Sequence, residues 1–140
     1  MKKVEHIGIA VKSLSDSIPL FEKLLSSSCY KIEKVDSEKA NTAFFQIGET
    51  KIELLESQEA EGVISKFIDK KGEGIHHIAF EVDDLASEIG RLKKEGFAIL
   101  NEIPKKGADN KLICFVHPKS SNGVLIELCQ SIDGKKQKTR

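Results

Sequence analysis

At 140 residues, 39% of them hydrophobic and 31% charged, the chain has the length and balance of one globular domain with a core of its own. Its 22 basic and 22 acidic residues cancel, which excludes the basic surplus of a general nucleic-acid binder. No apolar run approaches the ~18 residues of a transmembrane helix, and the three cysteines (Cys29, Cys114, Cys129) show no paired spacing, which together point to the reducing cytoplasm and away from membranes.

The start, "MKKVEHIGIAV", reaches His6 and Gly8 before any sustained apolar region, so it reads as structure and not as a signal peptide. "VEHIGIAV" alternates as a strand. "SLSDSIPLFEKLLSS" then sets Leu14, Ile18, Phe21, Leu24 and Leu25 at helical spacing, with Ser15 or Asp16 as the expected cap and Pro19 near the first turn. Strands are expected at "CYKIEKV", "NTAFFQI" and, across a "GET" turn, "KIELLE". "EGVISKFIDKKGEG" reads as a short connecting helix closed by glycines. The pattern then recurs: strand "IHHIAFEV", helix "DDLASEIGRLKKEG" with Gly90 inside it, and strands "FAILNEI", "KLICFV" and "GVLIELCQ". The basic stretch "DGKKQKTR", 133–140, is expected to be a solvated tail.

That recurrence is an internal repeat. A shift of 71 positions lays His6 on His77, Ile7 on Ile78, Val11 on Val82, Leu14 on Leu85 and Ile18 on Ile89. "KIELLE" echoes "LIELCQ" in the same order, with 47 residues from His6 to Glu53 and 50 from His77 to Glu127. The expected organisation is one duplicated α+β domain over 1–132. It comprises a βαβββ module over about 1–60, a connector over about 61–72 and a second module over about 73–132, packed around one cavity.

The repeat also chooses between the adjacent histidines. Neighbouring strand residues face opposite ways, so Ile78, Phe80 and Val82 make one apolar face and His77, Ala79 and Glu81 the other. His77 matches His6, whose face continues with the small Gly8 and Ala10. His76 is left on the helix-packed side, where a hydrogen bond at the strand start is expected. Glu53 opposes Ile52 and Leu54, and Glu127 opposes Ile126 and Leu128, so each glutamate falls on the inner face. A buried carboxylate is costly unless paired or bound to a cation. One such residue alone would be an ordinary satisfied polar group. Four of them in phase with a repeat, His6, Glu53, His77 and Glu127, form a donor set suited to a divalent metal of borderline hardness.

"HIGIAVKSL", "KIELLE", "ISKFIDKKGEGIHHIAFEVDD" and "HPKSSNGVLIELCQ" together resemble the vicinal oxygen chelate superfamily and, within it, the methylmalonyl-CoA epimerase family, over residues 4 to 131. The resemblance implies duplicated βαβββ modules that form an incurved mixed sheet around a metal site. Its metal ligands fall on His6, Glu53, His77 and Glu127, with Co2+ the first expectation and Mn2+, Ni2+ or Zn2+ as alternatives. It implies interconversion of (S)- and (R)-methylmalonyl-CoA in propionate metabolism, by α-proton removal and return. Glu127, as a loosely held ligand, is the expected base, with Glu53 or a metal-bound water as the second group. Some relatives carry a glutamate where this chain has Thr42, which cannot act as a base at neutral pH. Lys119 and Ser120 are expected to meet the acyl-CoA, and the superfamily suggests a homodimer. Cys129 shares the inner face but is expected to be a small hydrophobe. The alternatives are glyoxalase I, whose relatives tend toward "DPDG" where this chain has "HPKS", and a metal-free binding protein of the same fold.

Overall fold

Ser13 starts the first helix. After strand β1 (Lys3–Ala10) the chain is extended at Ser13, whose hydroxyl accepts the Asp16 amide at 3.2 Å and opens α1 (Leu14–Leu25). The cap is therefore Ser13 and not Ser15 or Asp16, because the helix already begins at buried Leu14. Asp16 lies inside the first turn, where its charge suits the helix dipole. Pro19 consequently sits in the second turn and not the first; it is exposed there, and its missing N–H costs the helix the bond to the Ser15 carbonyl. The computed structural model describes residues 1–132, and the tail expected over 133–140 lies outside the described residues.

Residues 6–76 pack as one compact unit. After α1, strands β2 (Lys31–Val35), β3 (Ala40–Ile47) and β4 (Thr50–Ser57) run antiparallel in succession, and β4 returns parallel beside β1, giving the order β2-β3-β4-β1. Val11, Leu14, Ala43, Phe45 and Leu54 fill the space under α1, joined by Ile9, Ile18 and Phe21. On the other face Ala10, Ala40 and Leu55 are covered by Ile64, Phe67 and Ile68 of α2 (Val63–Lys71). Gly72, at φ 81°, closes that helix in a conformation side chains resist.

The second unit runs from residue 77 on, with residues 1–5. β5 (Gly74–Glu81) leads into α3 (Leu85–Lys94), capped by Asp84, whose carboxylate accepts the Ser87 amide at 3.2 Å. Ser13 and Asp84 are 71 residues apart, so both caps belong to the repeat. Pro19 and Gly90 are also 71 apart, and each helix thus carries its unfavourable residue at the same place. β6 (Lys105–Lys106), β7 (Lys111–Val116) and β8 (Ile126–Ser131) run antiparallel in succession, β8 lies parallel to β5, and the order is β5-β8-β7-β6. Val82, Leu85, Ile89, Leu92, Cys114, Val116 and Leu128 form the core under α3.

One expected strand does not form. "FAILNEI" contributes a single bridge, Ile99 to Val116, and pairing resumes only at the two-residue β6 (Lys105–Lys106) opposite Leu112 and Ile113. Asn101 is the physical reason. Its side-chain oxygen accepts the Phe115 amide at 2.9 Å, and its Nδ2 donates to the Ile113 carbonyl at 3.2 Å and the Ile103 carbonyl at 3.3 Å. The carboxamide takes bonds a neighbouring backbone would have made, and the main chain loops outward.

Candidate metal and acyl-CoA site

The inner face of each module presents one histidine beside one glutamate. In the first, the β1–β4 register sets Gly8 against Glu53, two positions past His6. In the second, the β5–β8 register sets Ala79 against Glu127, two positions past His77. On the far side Glu53 faces Phe44, and Glu127 faces Phe115. Each carboxylate therefore lies between a small residue and a phenylalanine, and the small residue leaves the space into which the histidine leans. His6 Nδ1 is 3.3 Å from Glu53 Oε2, and His77 Nε2 is 3.1 Å from Glu127 Oε1. The His77 ring also stands edge-on to Phe115, with centroids 6.1 Å apart.

His6, Glu53, His77 and Glu127 are 5%, 3%, 6% and 5% exposed. Carboxylates held this far from water need a partner, and each has an imidazole within reach. One nitrogen and one carboxylate oxygen per module is chemistry that fits a divalent ion of borderline hardness. These are the four residues the repeat selected.

Beside His77 and Glu127 the inner face of the second module is apolar. Ala79, Ile113 and Cys129 pack together with Phe115. Burial, and after it the Glu127 charge, push the Cys129 thiol far above the usual thiol range, and its Sγ donates to the Phe80 carbonyl at 3.6 Å. The small-hydrophobe reading of Cys129 holds. Cys114, on the helix side, is pushed up to about 11 by the same two causes. Thr42 is 2% exposed and pairs with Leu55, two residues along from the Phe44–Glu53 row and on its face. The inner face of this module therefore offers a hydroxyl at that point. His76 sets its ring edge-on to Phe67 of α2, with centroids 4.9 Å apart.

Lys119 and Ser120 lie in a 3-10 turn, Pro118–Ser120, that follows β7 immediately past the Val116–Ile126 pair and so at the Glu127 end of that strand pair. Lys119 is exposed. Ser120 is partly committed, since its Oγ accepts the Ala98 amide at 2.9 Å. Sequence reading missed a buried pair, Glu5 with Lys111 at 3.8 Å; the only signal for it was a glutamate directly before the strand histidine. It also missed the side-chain roles of Asn101 and His117.

Residues 5–115 match the family model of the Glyoxalase/Bleomycin resistance protein/Dioxygenase superfamily. The chain belongs to that superfamily. Among the relatives of this superfamily member is the uncharacterised protein YqjC of Bacillus subtilis, 39% identical over 130 residues and matched over 93% of each chain. The mitochondrial methylmalonyl-CoA epimerase of Dictyostelium discoideum is 36% identical over 127 residues, 90% of this chain and 76% of that one. A variant of the Streptomyces coelicolor methylmalonyl-CoA epimerase, solved in complex with 2-nitronate-propionyl-CoA, superposes with a TM-score of 0.90 at 28% identity, over 94% of this chain and 96% of that one. The α+β fold of βαβββ modules expected from the sequence is the fold of this superfamily member. Among the described residues no helix is long and apolar enough to cross a membrane.

Proposed function

We propose that the protein is a methylmalonyl-CoA epimerase that interconverts the (S) and (R) forms of its acyl-CoA substrate. The observation that carries this reading is the buried His–Glu pair, repeated at the same strand register in both modules of a chain whose relatives include epimerases of that substrate. His6, Glu53, His77 and Glu127 would hold one divalent ion between them. Co2+ is the first candidate, and Mn2+, Ni2+ and Zn2+ are alternatives that geometry and availability would decide. Bound there, such an ion would act as a Lewis acid toward the thioester and carboxylate oxygens that flank the reacting carbon, an effect worth several kcal/mol.

The chain's own part is to move one proton. Glu127 takes it from the α-carbon, leaving the substrate as its enolate. Return of a proton to the opposite face inverts the centre and needs a second group, which is Glu53. A positioned carboxylate of this kind adds about 10²–10⁴-fold. The phenylalanines beside the glutamates keep water from the reacting carbon, and Thr42 contributes no base. Lys119 and Ser120 hold anionic and carbonyl oxygens of the acyl-CoA. The protein works as a homodimer in the cytoplasm, in propionate metabolism.

The test is deuterium incorporation at C2 of methylmalonyl-CoA in heavy water, using protein stripped of metal and then reloaded with Co2+. The expected result is exchange with conversion between epimers after reloading and neither before it. Loaded protein that leaves C2 protiated would overturn the reading, and the glutathione hemithioacetal would be the next substrate to offer.

A further inference from the structure

The turn that carries Lys119 is more tightly built than its exposure suggests, and one residue holds most of it. His117 makes three hydrogen bonds around its own Cα. Its amide donates to the Ala98 carbonyl at 2.8 Å, its carbonyl accepts the Ser120 amide at 2.9 Å, and its ring Nδ1 accepts the Lys119 amide at 3.0 Å. The first fastens the turn to the segment beside β7. The last is a side-chain cap of the kind usually supplied by Asn, Asp or Ser, which organises a short turn by standing in for backbone.

The remaining bonds close the turn behind Lys119. Pro118 accepts the Ser121 and Gly123 amides at 3.0 and 2.8 Å, and Ser121 Oγ donates to the Val124 carbonyl at 2.7 Å. Asn122 and Gly123 take positive φ, 57° and 87°, to make the return. Ser120 Oγ accepts the Ala98 amide, so Ala98 is gripped from both sides of the peptide. None of residues 117–123 belongs to the core cluster under α3. What these bonds fix is the direction in which the residue after Pro118 leaves the turn.

We propose that His117 is a positioning residue for acyl-CoA binding: by capping the Lys119 amide it fixes the backbone of the turn, and with it the direction in which Lys119 is offered to an anionic oxygen of the substrate. This rests on the epimerase reading and deepens it. A turn free to sample several backbone conformations loses conformational entropy when its lysine binds, and a turn fixed in advance leaves less of that backbone entropy to lose. The anionic oxygen belongs either to the malonyl carboxylate or to a CoA phosphate. The chemistry at Lys119 is the same for both.

The experiment is steady-state kinetics of the metal-loaded enzyme with His117→Ala, His117→Asn, Lys119→Ala and the His117→Ala/Lys119→Ala double variant. Methylmalonyl-CoA is compared with its pantetheine thioester, which lacks phosphate. With methylmalonyl-CoA, His117→Ala is expected to raise KM roughly tenfold, the size of one lost cap, with kcat within about twofold. His117→Asn, which keeps an acceptor, restores KM. Lys119→Ala raises KM alone, and the double variant is no worse than the worse single one, because His117 acts through Lys119. If the penalty vanishes with the pantetheine thioester, Lys119 reads phosphate; if it persists, Lys119 reads the carboxylate. Unchanged KM in His117→Ala, failure of Asn to restore it, or additive penalties would overturn the inference. Lys119→Ala leaves the turn's own bonds intact, so an unmoved KM there overturns it even if His117→Ala does not fold. Wild-type protein without turnover would overturn the epimerase reading and this inference with it, which separates the two failures.

Discussion

Between their last two strands the two modules differ in length. The 71-residue offset that joins His6 to His77 also joins Phe44 to Phe115 and Phe45 to Val116, but Glu53 and Glu127 are 74 apart. The Phe45–Ile52 pair encloses a short hairpin turn around Gly48, whereas the corresponding Val116–Ile126 pair encloses the His117–Leu125 connection. The three extra residues fall wholly in that connection. What duplication kept was the helix caps, the His–Glu pairs and the phenylalanines beside them. What it changed was the turn that holds Lys119. The His–Glu pair is thus common to both modules, and the connection that carries Lys119 belongs to the second alone.

The largest expected effect tests whether the two glutamates are also equivalent in chemistry. Glu127→Gln is expected to lower C2 deuterium exchange by at least about 10²-fold, the contribution of one positioned base. Glu53→Gln, which keeps an oxygen donor but cannot return a proton, should retain metal and much of the exchange while losing conversion between epimers. Equal loss from both substitutions, with metal content measured alongside, would make the modules chemically symmetric.

The cysteines give a second contrast. Cys29 is half-buried in the first module, while Cys114 and Cys129 are buried in the second. Labelling of the folded protein with a disulfide reagent at pH 8 should modify Cys29, with Cys114 slower by roughly a hundredfold or more for want of thiolate. Stability should respond too. A thiol raised from 9.0 to about 11 in the fold keeps its proton where the unfolded chain has lost it. The Cys114 contribution is thus fully present below pH 9.0 and falls as pH rises from there toward about 11. Urea midpoints that stay level across that window would refute it.

The smallest effect concerns the helix caps. Ser13→Ala and Asp84→Ala each remove the same bond from repeat-equivalent positions. Each should cost about 1 kcal/mol, with the Asp84 loss the larger because a charge near the helix N-terminus goes with it. Urea unfolding of both variants would show whether the caps are energetically as well as geometrically matched.

Much of this was legible from the chain. Strand alternation and helical spacing are local, and the repeat let each half check the other, so both long helices and the inner-face positions of all four donors could be read directly. The misses came from side chains that stand in for backbone. Asn101 replaces ladder bonds in a stretch whose Ile, Leu and Phe content reads as strand. Ser13 was passed over for later residues because Ser15 and Asp16 are equally good caps by type, and only the burial of Leu14 decides. His117 stood in a motif dominated by Pro118 and Gly123, and imidazole is an uncommon cap. Glu5 gave no sign of Lys111, 106 residues away in sequence, because such pairs are made by topology alone.

The confinement of the length difference to one connection has a consequence for engineering. The strands on either side of the β3–β4 turn match those flanking the β7–β8 turn, pair for pair. Exchanging residues 46–51 for residues 117–125 would therefore keep the six matched pairs in register while giving up the Gln46–Lys51 and Ile47–Thr50 pairs. The product would carry the Lys119 connection on both halves, a scaffold on which to select for ligands with two anionic arms.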